Sequence, residues 1–358
     1  MTTADDRLYH GTDGLNSGAR QAGLADGPVT PIEQFFSRSH AAPPTIDLAS
    51  WRLIVDGMVE QPQSLSFAEL QQLPRREVMA TLLCAGLRRD ELLSFAPLPG
   101  ELPWGPEPAS TGRWGGVSLR DVLLASGLLP EVQHIEFTGL DAVDRHGQRF
   151  GFGGSITRDK ALEPEVLLAF ELNGQPLSPT HGFPVRTLVP GWIGARSVKW
   201  LGRISASAAR STNYFQTHAY RVQRESDAAH PGDVTGGVAI DEITLNSVML
   251  DPSPGERLAA GPVVLRGWAI GTGACAISAV ECSTDGGAQW HAATLDAVRD
   301  RWTWTRWEAT VVLAAGHHSL IVRAVDETGA RQPSDVADVW NVKGYLNNAW
   351  HRVAITAE

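Results

Sequence analysis

The sequence predicts two domains, an α+β domain followed by an all-β sandwich of immunoglobulin-like type. Three observations carry this. The chain has 358 residues, more than a single core usually organises. Up to about residue 204 short alternating strands are interleaved with capped helices, whereas beyond about residue 235 the pattern is repeatedly β. A polar, irregular stretch separates the two regions and reads as a linker. The expected boundaries are a polar, extended or mobile arm over 1–28, the α+β domain over 29–210, the linker over 211–234 and the sandwich over 235–358.

Each element has a local cause. Trp51-Arg-Leu-Ile-Val-Asp-Gly alternates and then turns, as a half-buried strand does. Ser66 is followed three residues later by Glu69, the capping-box start of a helix. Ser118 to Gly127 reads as a second short capped helix stopped by glycine. The apolar run Glu165–Leu172 meets Asn173-Gly174, a hairpin turn. Later, segments starting at Val263, Ala276, Trp302 and Ser319 alternate, and turns such as Asp285-Gly286-Gly287 and Thr328-Gly329 punctuate them.

Forty acidic against thirty basic side chains give a net charge of −10. That excludes a general nucleic-acid surface, which needs a basic face to displace counterions, but allows a local basic pocket. Three cysteines, Cys84, Cys275 and Cys282, are too few for a disulfide framework. Cys275 and Cys282 read as one strand at odd separation, hence on opposite faces and unbonded. Reduced thiols, the lack of an export signal and the lack of any apolar run near ~18 residues lead us to expect a soluble, cytoplasmic protein without membrane or nucleic-acid partners.

The chemistry concentrates at Cys84. A lone cysteine after an apolar strand is ordinarily a core residue. Here Gly86 permits a tight turn, and Arg88 and Arg89 are expected to set positive charge beside the sulfur, favouring the thiolate that binds soft metals. The segment Cys84-Ala85-Gly86-Leu87-Arg88-Arg89 resembles the Cys-Ala-Gly-Asn-Arg-Arg block of sulfite oxidases and assimilatory nitrate reductases, with Leu87 in place of asparagine. Phe35-Phe36-Ser37-Arg38-Ser39-His40 is similar to that family's Phe-x-x-Arg-Asn-His segment. Further matching blocks lie at Ser110–Val117 with Leu119–Leu123, at His181–Arg186 through Val198-Lys199-Trp200-Leu201, and at Trp340–Gly344 with Asn348–Val353. They follow family order from about residue 30 to the end.

The resemblance implies a molybdenum–molybdopterin cofactor with Cys84 as the metal's protein ligand. It implies cofactor contacts from Phe36, Ser37, Arg38, Ser39, His40, Asp141, His181, Arg186, Ser197, Val198 and Lys199. It implies a substrate pocket built from Arg38, Arg89, Trp104, Tyr220 and Lys343, the last standing where animal sulfite oxidases carry arginine. Such a set suits a phosphate-bearing pterin and a small oxyanion. The implied activity is oxygen-atom transfer oxidising sulfite to sulfate. The alternatives are reduction of nitrate or another oxygen donor on the same cofactor, and a non-catalytic oxyanion- or pterin-binding protein. No Cys-x-x-Cys-His haem motif is present and no chain length is left for a fused haem or flavin domain, so a separate electron acceptor is expected. A homodimer is expected through the sandwich, whose strands carry Trp268, Trp290, Trp302, Trp304 and Trp307; about half of these are expected to fill the sandwich core and the excess to form an exposed apolar face.

Overall fold

The computed structural model describes residues 7–25, 27–224, 226, 235–297 and 300–358. The first domain is built on two sheets. One places Gly153–Thr157, His134–Gly139, Leu201–Ser207, Leu53–Gly57 and Gln63–Leu65 side by side, with only the Leu201–Ser207 and Leu53–Gly57 pair parallel. The other orders Gln175–Pro176, Leu167–Leu172, Ala109–Ser118 and Arg75–Leu83, all antiparallel. Inward residues Leu53, Val55, Ile135, Phe137 and Ile204 are buried with Val122 and Leu123 of the helix Leu119–Ser126. The expected local signals appear. Ser66 forms a reciprocal capping box with Glu69, and Asn173 and Gly174 adopt left-handed conformations (φ 52° and 78°) in their hairpin. Ser118 precedes its helix without a side-chain cap bond, whereas Gly127 ends it at φ 67°.

The second domain is a two-sheet sandwich. Asn246–Asp251, Gly261–Ile270, Thr305–Leu313 and Thr294–Leu295 make one sheet. Arg257–Leu258, His351–Ala357, Gly316–Asp326, Ile277–Ser283 and His291–Ala292 make the other. Leu265, Val280, Leu320, Val322 and Val353 fill the space between them.

Three expectations are corrected. First, the arm does not hang free. Arg7–His10 and Asn16–Ala19 pair as an antiparallel hairpin, and a short helix, Gln21–Ala25, follows. Polar and small residues concealed this. Asn16 and Ser17 are buried, and a Cβ added at Gly18 would lie 2.5 Å from the Glu107 carbonyl oxygen, so the strand packs where only glycine fits. Residues 1–6 lie outside the described residues, as do 227–234 of the linker.

Second, Cys275 sits in a turn ahead of the strand Ile277–Ser283 that holds Cys282; both are free thiols. Third, the sandwich tryptophans are not an exposed surplus. Trp268, Trp302, Trp304 and Trp307 are buried, and Trp290 packs edge-on to Trp350 beneath the Arg323 guanidinium. Trp302 and Trp304 join the two domains: the Trp302 carbonyl accepts from the Thr81 N–H at 2.9 Å, and the Trp304 N–H donates to the Thr81 hydroxyl at 2.9 Å. Aromatic content therefore gives no argument for a subunit interface.

Arg88 performs the same joining task. At φ 57° and fully buried, it donates to both Glu91 carboxylate oxygens (2.6 and 2.7 Å), to Asn246 Oδ1 at 2.8 Å and to the Ala349 carbonyl at 2.9 Å. Its charge is spent on the domain junction, not beside the Cys84 sulfur. Among the described residues no helix is long and apolar enough to cross a membrane.

Candidate functional site

The strand Arg75–Leu83 delivers Cys84 to a tight turn. The Cys84 N–H donates to the Pro108 carbonyl, the Leu87 N–H returns to the Cys84 carbonyl, and the Gly86 N–H points at Sγ from 3.4 Å. The sulfur lies in the wall of a cleft enclosing about 710 Å³, counted out into the open solvent at its mouth. Phe36, Ser37, Arg38, Ser39 and His40 line it from one side. Asp141, His181, Arg186, Ser197, Lys199 and Tyr220 line it from the others. Segments separated by more than a hundred residues thus meet around one sulfur.

The charges in this cleft are unbalanced. Among the described residues the hydrogen-bond partners of Lys199 Nζ are neutral, Ser39 Oγ at 2.6 Å and the Thr180 carbonyl at 3.0 Å. Arg186 donates to the His181 and Ser197 carbonyls at 3.0 and 2.9 Å. Gly182, at φ 110°, allows the two cations to approach, since a Cβ there would lie 3.1 Å from the Cβ atoms of both. Burial pushes Arg186 down to about 9 and holds Lys199 well below its ordinary value, the nearby Arg186 adding to the effect on Lys199. Burial, then Lys199 and Arg186, takes His181 down to about 3, so it is neutral at physiological pH. Burial likewise lowers His40, helped by Arg38. One carboxyl faces this set: Asp141, whose Oδ1 accepts from the Phe152 N–H at 2.8 Å while its buried Oδ2 has no partner.

Tyr220 completes the wall at φ 52°, its hydroxyl 2.9 Å from His40 Nε2. Burial raises its pKa to about 12, so the hydroxyl keeps its proton. Among the described residues Arg38 makes no ion pair; it donates to Asn16 Oδ1 at 2.9 Å and to the Ser39 carbonyl at 2.7 Å.

Four expected site residues lie elsewhere. Val198 turns into the apolar core, and both its backbone N–H and its carbonyl are taken by Thr187. Trp104 is fully buried under the His10 ring (4.4 Å between centroids), outside the cleft lining. Arg89 and Lys343 form a separate group with Glu101, behind Tyr345. That group still adjoins the cleft, because Tyr345 stacks on Tyr220 at 5.4 Å and a Cβ at Gly86 would meet the Arg89 guanidinium at 2.8 Å.

Sequence reasoning missed Phe152, Trp200, Tyr345 and above all Asn16. The carboxamide oxygen of Asn16 accepts from both the Arg38 guanidinium and the Ser39 N–H, and Ser17 bridges to Ser37 through both backbone groups. The amino-terminal hairpin therefore braces the Phe36–His40 wall. Asn16→Ala is expected to raise the KM for an anionic substrate about three- to tenfold, the loss of one charge-assisted hydrogen bond; an unchanged KM would contradict this bracing.

Comparison with known proteins agrees with this geometry. A family model described as the oxidoreductase molybdopterin binding domain matches residues 40–215, and one described as the Mo-co oxidoreductase dimerisation domain matches residues 237–358. The sulfite oxidase of Gallus gallus is 42% identical over 340 residues, covering 92% of this chain and 73% of that protein. The mitochondrial sulfite oxidase of Homo sapiens is 39% identical over 341 residues, covering 93% of this chain and 62% of that protein. The chain belongs to the sulfite oxidase family. Among solved structures, the sulfane dehydrogenase SoxCD from Paracoccus pantotrophus superposes with a TM-score of 0.82 at 25% identity, covering 99% of this chain and 90% of that one.

This sulfite oxidase family member carries the family's molybdopterin-binding domain, and its own residues fit that cofactor. Cations whose hydrogen-bond partners are neutral carbonyls and a hydroxyl suit a phosphate, and the orphaned Asp141 Oδ2 suits a pterin N–H donor. Among the described residues no cluster of three His, Cys, Asp or Glu could hold an ion alone. That fits a metal whose remaining ligands come from a pterin dithiolene.

The buried histidines make a pH prediction for the cofactor-free family member. His40, His181 (about 3) and His351 (about 4, lowered by burial and Arg88) all sit below the ordinary value of 6.5. Depressed histidines contribute stability that is complete above about pH 6.5 and is lost as pH falls toward their folded values, at about 1.4 kcal/mol per unit for each group. The thermal midpoint should drop steeply from pH 6.5 to 4. Melting curves flat across that range would show that these imidazoles are solvated.

Proposed function

We propose that the protein oxidises sulfite to sulfate and passes the electrons to a separate acceptor. One observation supports this above the rest: the Cys84 sulfur opens into a cleft whose charged side chains are cations facing a single carboxyl. A molybdenum pyranopterin, when bound, supplies the oxygen-atom transfer and two-electron chemistry. The remaining tasks belong to the chain. Cys84 would ligate the metal. Lys199, Arg186, His181 and Asp141 would hold the pterin and its phosphate, with Phe36, Ser37, Ser39 and Ser197 shaping the walls. Arg38 would orient the substrate anion, and the protonated Tyr220 hydroxyl, fixed on His40, would donate a hydrogen bond to it. Arg89 and Lys343 would add positive charge from behind Tyr345, concentrating a small dianion and offsetting its desolvation.

Sulfite and water yield sulfate, two protons and two electrons. Free thiols at Cys84, Cys275 and Cys282 give no set for an iron–sulfur cluster, which supports an external acceptor, and they suit a reducing, cytoplasmic compartment. The match to the dimerisation domain supports a homodimer.

Anaerobic titration of molybdenum-loaded protein with sulfite tests the assignment. Bleaching of the oxidised metal absorption is expected; no bleaching by sulfite, together with reoxidation of the dithionite-reduced protein by nitrate, would reverse the direction of the reaction. Protein made in a molybdenum-replete host that carries no molybdenum per chain would leave only anion binding.

A further inference from the structure

The two cations behind Tyr345 are not waiting empty-handed. Glu101 sends Oε1 to Lys343 Nζ at 3.1 Å and Oε2 to the Arg89 guanidinium at 3.5 Å. Its carboxylate thus bridges a residue of the first domain and one of the second. Arg38, one of the cations lining the cleft, has neutral hydrogen-bond partners among the described residues, whereas the outer pair holds the acid.

The surroundings leave this carboxylate as the exchangeable partner. The Arg89 side chain is 4% exposed and is anchored by two backbone carbonyls, that of Gly344 accepting from Nε at 3.1 Å and that of Leu102 accepting from Nη1 at 3.2 Å. Its guanidinium lies 5.1 Å from the centroid of the Tyr345 ring. A Cβ at Gly344 would lie 2.8 Å from Arg89 Cγ, so the arginine stem packs against the backbone there in space that only glycine leaves open. Glu101 is on an irregular loop and keeps 17% of its side chain exposed, and Lys343 keeps 30%. Two oxygens of one carboxylate are spaced much like two oxygens of a tetrahedral oxyanion. Glu101 therefore sits as an oxyanion would between the same two cations.

We propose that Glu101 is an internal competitor of the substrate, a positioning residue that lowers the affinity of Arg89 and Lys343 for sulfite and sulfate alike. This rests on the sulfite reading only in naming the anion; the competition itself concerns any small dianion. The carboxylate keeps the two cations apart from other counterions when no anion is bound, and its negative charge speeds departure of the product. An ordinary ion pair that merely fastens the two domains would add stability without affecting anion affinity, and that difference is measurable.

The experiment compares holoenzyme of wild type, Glu101→Gln and Glu101→Asp at fixed ionic strength. Sulfate is titrated calorimetrically, and sulfite turnover is followed in parallel. Glu101→Gln should bind sulfate about tenfold more tightly, lower the KM for sulfite by a similar factor with the change in KM exceeding that in kcat, and steepen the salt dependence of both. Glu101→Asp, which keeps the charge, should stay near wild type. Equal sulfate affinity in a folded Glu101→Gln protein would overturn the proposal. Glu101→Ala provides a second neutral variant, and failure of both neutral variants to fold would assign the residue to domain joining and overturn it too. Tighter sulfate binding without any sulfite turnover by wild type would sink the sulfite reading and leave this one standing.

Discussion

Replacing Cys84 by serine is expected to reduce sulfite-dependent turnover by roughly 10³-fold or more while the pterin is still bound. Second-shell partners of a metal typically cost 10–100-fold when removed, and a direct ligand should cost more. A thiolate is a soft, anionic donor, whereas a serine hydroxyl is neutral and hard at neutral pH, so it cannot replace the sulfur in the same place. Packing does not confound the test. Cys84 is buried in a turn held by backbone bonds to Pro108 and Leu87, and among the described residues its side chain receives one contact of hydrogen-bond type, from the Gly86 N–H. The readouts are turnover, molybdenum per chain, and the sulfur-to-metal charge-transfer absorption of the oxidised protein. Turnover within tenfold of wild type with the absorption intact would end the assignment of this sulfur to the metal.

Lys199→Met should move two properties in opposite directions. In the cofactor-free protein, Lys199 is a half-buried amine whose hydrogen-bond partners are a hydroxyl and a carbonyl, with the buried Arg186 nearby and Asp141 as the one facing carboxyl. Taking such a group out of water costs free energy that its neutral partners do not return, and a methionine of similar length removes that cost. The thermal midpoint of the cofactor-free variant should therefore rise. Cofactor retention should fall about a hundredfold, because the phosphate would lose its ammonium partner and be left with Arg186. Melting in the absence of cofactor and pterin content after gel filtration measure the two effects. A lower midpoint, or undiminished pterin content, would refute the reading of Lys199 as a cation poised for an anion. Such opposition between stability and function is the expected mark of a binding residue.

Much of the fold was legible because its signals are local. Period-two alternation reported the sandwich strands, and a Ser66–Glu69 capping box and an Asn173-Gly174 turn are each decided within a few residues. The site was legible where it is contiguous: the segments at 36–40, 84–89 and 181–199 each carry several functional groups in a short run. Signals failed where packing partners are distant in the chain. Asn16 looked like part of a mobile arm because burial of small and polar residues leaves no hydrophobic period to detect. Glu101 looked like any loop acid. Arg88 and Arg89 are adjacent in sequence, yet Arg88 enters the domain junction while Arg89 turns toward Tyr345.

What the sequence by itself determined is the order of strands and turns, the family, and the residue types that a pterin, a metal and an oxyanion require. Only the tertiary structure decided which of those charges are free. Arg38, Arg186 and Lys199 converge on a cleft with a single facing carboxyl, Asp141, Arg88 is consumed by Glu91, and Arg89 shares Glu101 with Lys343. The physical reason is that a charge's availability depends on the groups within a few ångströms and on the water excluded around it, and both are set by segments from opposite ends of the chain.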